Sequence, residues 1–240
     1  NVSEALRDSC NYYFYEVGYR LATNNYSTAY NDSLGIEKLQ KYASLFGLNE
    51  RTGIEIEEAA PQIANEFPVM AAIGQSNNNY TTVQLARYVT AVANEGTVYQ
   101  YTLLNRLEDS DGNVLQTFEP QVRNQIDVLD TEEWNAIHSG MRMVVENTKE
   151  FDGFPIEAAG KTGTAQQNLK RPNHALFVGY APYDDPEISI ATRIAYGYTS
   201  HNAAKLARNV FAYYFNVENE DELLNGQAAN GNSSSNEISD

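Results

Sequence analysis

The chain has 240 residues, enough for one large domain or two small ones, and a formal net charge of -16. That excess of carboxylates argues against nucleic acid or anionic membrane as partners over most of the surface. A single cysteine, Cys10, excludes an internal disulfide framework, and His138, His174 and His201 lack metal-ligand spacing, so neither a metal nor another cofactor is expected.

In chain order, apolar side chains at Val2, Leu6, Tyr13, Val17 and Leu21 recur at near-helical spacing, interrupted by Ser9-Cys10-Asn11. Two short helices are predicted to meet at this tripeptide, the second over 12–22, with Ser9 or Asn11 as its cap. Residues 23–33 read as loop. Gly35 then opens a helix with Leu39, Tyr42, Ala43 and Phe46 on one face, closed by Gly47. Residues 51–56 read as a turn into a short extended piece, and Pro61 and Pro68 punctuate a connection. Thr81 with Gln84 forms a capping box for a helix carrying Leu85, Tyr88, Val89 and Val92 towards Gly96. Strands are predicted over 99–106 and 113–118 around an Asp111-Gly112 turn. Asp130 and Glu133 form a second capping box, and the helix they open buries Trp134, Ile137, Met141, Val144 and Val145.

Three strands follow, over 159–166, 175–181 and 187–196. The Pro182-Tyr183-Asp184-Asp185-Pro186 turn between the last two is too short for anything but antiparallel pairing. A last helix over 202–215 places Ala203, Leu206, Ala207, Val210, Phe211 and Tyr214 on one side. The acidic, Asn/Ser-rich residues 217–240 have little to bury and are expected to be disordered. The order of elements predicts an α+β fold with a domain over 1–216. Tyrosines 12, 13, 15, 19, 26 and 30 admit a glycan-stacking surface, but their expected place is a core and its margin.

Chemistry concentrates in Lys161-Thr162-Gly163-Thr164, flanked by Ala158-Ala159-Gly160 and Ala165. In a strand, Thr162 and Thr164 point to one face and Lys161 to the other, an arrangement suited to an anionic substrate. Taken alone, K-T-G also reads as an exposed sheet edge. Together with Ser9-Cys10-Asn11 and Gly74-Gln75, in this order, it resembles the transpeptidase domain of penicillin-binding proteins. Ile73-Gly74-Gln75, then Thr81 with Gln84-Leu85-Ala86 and Asn94 with Gly96, is similar to the monofunctional, class B members. The resemblance covers the chain to about Phe215.

That resemblance implies a serine β-lactamase/transpeptidase-like fold and a D,D-transpeptidase that cross-links peptidoglycan stem peptides through a serine acyl-enzyme and is acylated by β-lactams. No Ser in these 240 residues has Lys three positions on. The family's nucleophilic Ser-x-x-Lys is therefore expected upstream of Asn1, and this chain alone is expected to be inactive. By the same resemblance Ser9 relays a proton, Asn11 donates to a substrate carbonyl, and Lys161 supplies positive charge beside them. Thr162 and Thr164 hold the substrate carboxylate, and Gly163 leaves room for the acyl group. Other membrane-bound cell-wall synthesis proteins are implied as partners, with no nucleic acid. The implied location is the extracytoplasmic face of a bacterial membrane, with an N-terminal anchor. A D,D-carboxypeptidase, a serine β-lactamase, and a non-catalytic penicillin-binding scaffold or β-lactam sensor remain open alternatives.

Overall fold

The computed structural model describes residues 1–167, 169–219 and 223. Its elements are α1 (Val2–Arg7), α2 (Asn11–Ala22), α3 (Asp32–Leu45), α4 (Pro68–Ala71), α5 (Thr82–Ala93), β1 (Thr97–Gln100), β2 (Arg106–Glu108), β3 (Val114–Thr117), β4 (Gln121–Gln125) and α6 (Thr131–Glu146). A 3₁₀ turn (Lys149–Phe151), β5 (Ala159–Ala165), β6 (His174–Ala181), β7 (Ile188–Ile194) and α7 (Ser200–Tyr214) complete them. This is a mixed α+β fold. Most of the expected tail over 217–240 lies outside the described residues.

The chain forms two compact units, one of 1–13 with the described part of 131–240, the other of 14–130. In the first, β5-β6-β7 is an antiparallel sheet in which Lys161 faces Val178 and Gly163 faces Leu176. Phe177 lies across β5 so closely that a Cβ at Gly160 would come within 2.3 Å of its ring. Phe177 also stacks on Phe151 with centroids 5.8 Å apart, and Ala203, Ala207 and Phe211 of α7 close the core over it. This buried face of α7 is rotated from the expected one, for Leu206, Val210 and Tyr214 are exposed. Alanines let the helix lie close to the sheet, and the bulkier side chains turn outward.

In the second unit, Asn31 caps α3, so Gly35 sits inside that helix rather than at its start. The Thr81–Gln84 capping box opens α5 as expected. The predicted strand over 99–106 divides: β1 pairs with β4, and β2 pairs with β3 in a separate hairpin whose strands are exposed at every residue. The sequence of β4, Gln121-Val-Arg-Asn-Gln, has no apolar alternation to announce it. The tyrosine expectation also needs correction. Tyr12, Tyr19, Tyr26 and Tyr30 are exposed, and Tyr13 and Tyr15 are half-buried. The buried positions of α2 are Gly18 and Ala22, and a Cβ at Gly18 would already lie 2.8 Å from the Pro68 carbonyl oxygen, so that face has no room for a ring.

Arg87 of α5 anchors the turn after α3. Its guanidinium is buried and donates to the carbonyl oxygens of Gly47, Glu50 (3.2 Å) and Arg51 (3.2 Å). Burial lowers its pKa, and the Glu50 and Glu58 carboxylates oppose that shift. Replacing it with Arg87→Met would keep much of the volume but strip the donors from three carbonyls, that of Gly47 buried, for an expected loss of about 3 kcal/mol in chemical denaturation. Arg87→Lys recovers little, because a point ammonium cannot span the three acceptors. A midpoint unchanged by Arg87→Met would show that the turn is held by something else.

Candidate active site

Ser9 is fixed by the way α1 ends. Asp8 is the C-cap, and Ser9 follows with φ +46°, in the left-handed region where glycine is usual. Cys10 N–H donates to the Ala5 carbonyl at 2.9 Å, and Ser9 N–H to that of Leu6 at 3.2 Å. Ser9 therefore closes the first helix rather than capping the second, and Asn11 opens α2 in an exposed position. The tripeptide is held against the sheet through α6. Ser3 Oγ donates to the Ala136 carbonyl at 2.7 Å, and Leu6 fills the space above Gly140, where a Cβ would come within 2.8 Å of it.

Lys161 approaches the same point from β5. Its Nζ donates to Ser9 Oγ and, at 3.0 Å, to the carbonyl oxygen of Thr162. Thr162 Oγ1 stands 3.5 Å from the same ammonium. Strand alternation separates the two residues at Cβ, but the long lysine stem bends back to its neighbour. The structure thus brings together Ser9, Lys161 and Thr162, with Gly163 and Thr164 next on the strand and all five half-buried. Because Ser9 Oγ accepts from an ammonium, its own proton is directed elsewhere, which is the polarity a proton relay needs.

A polar cluster at the far end of β5 was not foreseen. His174, paired with Ala165, is buried and accepts the Tyr196 N–H at Nδ1 (3.1 Å). That places its proton on Nε2, 2.9 Å from Gln167 Oε1. Arg193 Nη2 lies 3.4 Å from both ring nitrogens, and Arg171 sits over the Tyr196 ring while donating to its hydroxyl at 2.9 Å. The loop after the K-T-G-T strand is therefore tied down at Gln167 and Arg171. A histidine opening a strand after a polar loop was the only sequence signal for this cluster.

The family model described as "Penicillin binding protein transpeptidase domain" matches residues 1–212. The peptidoglycan D,D-transpeptidase MrdA of Haemophilus influenzae is 31% identical over 90% of this chain and 36% of its own length. The chain thus spans about a third of that relative. Among solved structures, penicillin-binding protein 2B of Streptococcus pneumoniae superposes with a TM-score of 0.77 at 24% identity, covering 90% of this chain and 39% of that one. An imipenem acyl-enzyme complex of penicillin-binding protein A from M. tuberculosis gives 0.74 at 23% identity, covering 89% and 47%.

Two measurements test this geometry. Ser9→Gly and Ser9→Ala both remove the hydroxyl, but only alanine keeps the left-handed strain, so the glycine variant should be the more stable by about 1 kcal/mol. Equal stabilities would mean that position 9 is unstrained. For His174, burial and then the nearby Arg193 lower the pKa from 6.5. The unfolded chain takes up this proton first, so the His174 contribution is whole above about pH 6.5 and is lost as the pH falls below it. Between about pH 7.5 and about pH 5.5, the drop in thermal midpoint should be smaller for His174→Gln than for the unaltered protein. The same drop in both would exclude His174 as a source of acid lability.

Proposed function

The chain belongs to the penicillin-binding protein transpeptidase family, and we propose that it carries the relay and substrate-binding part of a class B serine D,D-transpeptidase site. The observation that supports this reading most directly is the ammonium of Lys161 on the hydroxyl of Ser9. The nucleophilic serine and its paired lysine belong to sequence outside these 240 residues.

In the proposed reaction that serine attacks the carbonyl of the D-Ala-D-Ala bond of a stem peptide. An Oγ–C bond forms as the serine proton passes to its lysine, then by way of Ser9 to the departing amine, and the C–N bond breaks. Lys161 keeps positive charge next to the relay and disfavours protonation of the neighbouring lysine, which therefore stays basic. Asn11 donates to the substrate amide carbonyl, and the hydroxyls of Thr162 and Thr164 take the terminal carboxylate. The Thr164 N–H serves as half of an oxyanion hole, a contribution of about 2.7–4 kcal/mol for one such donor. An amine of a second stem then attacks the ester and releases the serine, leaving a cross-link. β-Lactams enter the same first step and remain attached.

Gly163 supports the assignment from a different direction. A Cβ there would meet only Leu176 Cβ, at 3.5 Å, which is ordinary contact. The fold has no need of glycine at this position, whereas an acyl group lying along the strand would. A location outside the cytoplasmic membrane follows from the substrate, as do other cell-wall synthesis proteins as partners. No helix among the described residues is long and apolar enough to cross a membrane.

The test is to incubate the full-length protein containing this chain with benzylpenicillin and record its intact mass. A lasting adduct should form, and Lys161→Ala should slow it about a hundredfold or more. Gly163→Ala should slow it too, with an unchanged thermal midpoint. An unmodified mass in a folded protein would leave a non-catalytic scaffold, and rapid drug consumption without an adduct would indicate a β-lactamase.

A further inference from the structure

The turn between α2 and α3 displays three tyrosines together. Tyr19 stacks on Tyr30 with ring centroids 5.6 Å apart and lies 6.0 Å from Tyr26 at an oblique angle. Their exposures are 41%, 45% and 56%. Left to the hydrophobic effect alone, three adjacent rings would turn inward. They are held outward by a specific backbone. Asn24, Asn25 and Tyr26 are all left-handed, with φ of 46°, 55° and 66°. Asparagine tolerates that conformation, whereas tyrosine adopts it only against a steric clash of its Cβ. The turn is fastened on several sides. Asn25 N–H donates to the Arg20 carbonyl at 2.7 Å, Tyr26 N–H to Thr23 Oγ1 at 3.2 Å, and Lys38 Nζ to Asn24 Oδ1 at 2.7 Å. The rings are thus a fixed display rather than a loose end.

A polar rim surrounds the display. Glu16 accepts from the Tyr26 hydroxyl and from Arg20 Nε at 2.7 Å, and Asp32 accepts from the Tyr30 hydroxyl at 2.9 Å. The guanidinium carbon of Arg20 stands 5.2 Å over the Tyr26 ring. Each carboxylate retains acceptor capacity, so the rim favours a ligand rich in donors. Arg20 covers one face of Tyr26 and is paired with Glu16, and its charge disfavours a second cation, such as an ammonium ligand, beside it. A proline-rich peptide offers the rim acceptors in place of donors, and the net charge of -16 repels phosphate chains. What remains is a molecule with flat C–H faces edged by hydroxyls. A pyranose ring has that form: its C–H face packs on the electron-rich ring face, and its hydroxyls meet the forked polar groups.

We propose that Tyr19, Tyr26 and Tyr30, with Glu16, Arg20 and Asp32 as rim, form a carbohydrate platform that grips the sugar backbone of peptidoglycan separately from the Ser9–Lys161 site. The ligand class follows from the platform. Its peptidoglycan source rests on the proposed transpeptidase function.

The experiment titrates the full-length protein with glycan strands from which an amidase has removed the stem peptides, measured by calorimetry. Adduct formation with benzylpenicillin is recorded on the same preparation. Saturable binding is expected. Tyr26→Asn, which keeps the left-handed turn but removes the ring, and Tyr30→Ala should each weaken it about tenfold, while Tyr26→Phe stays near the unaltered value. Adduct formation without glycan binding would overturn the platform and leave the transpeptidase reading intact. Glycan binding without an adduct would support the platform and sink the transpeptidase reading. Binding unaffected by Tyr26→Asn and Tyr30→Ala would place the glycan elsewhere and overturn the proposal, as would a proline-rich peptide displacing it.

Discussion

An ammonium and a hydroxyl contributed by residues 152 positions apart must meet within hydrogen-bonding distance, and most of the first unit can be understood from that demand. Misplacing either group by an ångström would weaken the contact severely. The hydroxyl follows the end of a helix of six residues, too short to hold itself. Its rigidity is borrowed from α6 through the close seat at Gly140 and the Ser3–Ala136 hydrogen bond. Lysine has a flexible four-carbon stem, so its strand must be the fixed partner. Phe177 locks that strand from beneath, with Gly160 and Gly179 giving up their side chains to let the ring cross.

Where local chemistry decides an element, its residues announce it. The capping box at Thr81 and Gln84, the antiparallel pairing forced by the short 182–186 turn, and the K-T-G-T strand all depend on neighbours in sequence, and all are found in the structure. Where the outcome depends on distant packing, periodicity misleads. The helical pattern of α7 is satisfied equally well by two faces, and the choice of the alanine face follows from the space left above Phe177 and Phe151. Strand β4 is held by its partner β1 rather than by an apolar stripe of its own. The β5 residues expected at the site from resemblance lie together near Ser9, but the role of Ser9 as the left-handed end of α1 depends on a dihedral angle that no residue identity dictates. His174 was invisible as a functional neighbour because its partners, Gln167, Arg193 and Tyr196, come from both sides of the sheet turn.

The second unit shows what a purely structural polar group looks like by contrast. Arg87 is buried, donates to three carbonyls of one turn and faces no open surface. Its chemistry is consumed by the chain itself. Lys161 also donates to the chain, at Thr162, but one of its hydrogen bonds goes to a hydroxyl whose proton is directed onward. A buried cation spent on the carbonyls and a carboxylate of one turn fastens that turn, whereas one placed on a hydroxyl alters the acidity of a group that can exchange protons.

The same distinction separates residues that obey local rules from residues that break them. Ser9 and Tyr26 adopt a backbone region that favours glycine, and each carries a side chain there. Gly163 is the converse, a glycine where the surroundings would accept a side chain. Gly at 9 or Ala at 163 would fit the backbone at least as well. The hydroxyl, the ring and the empty space are accounted for if each is used by something outside the chain. Ser9 touches Lys161, and Gly163 stands two residues beyond it on β5, so one strained position and one unneeded glycine fall at the same site. The strain at Tyr26 lies in a different unit and beside different chemistry, which is the physical ground for treating it as a separate surface.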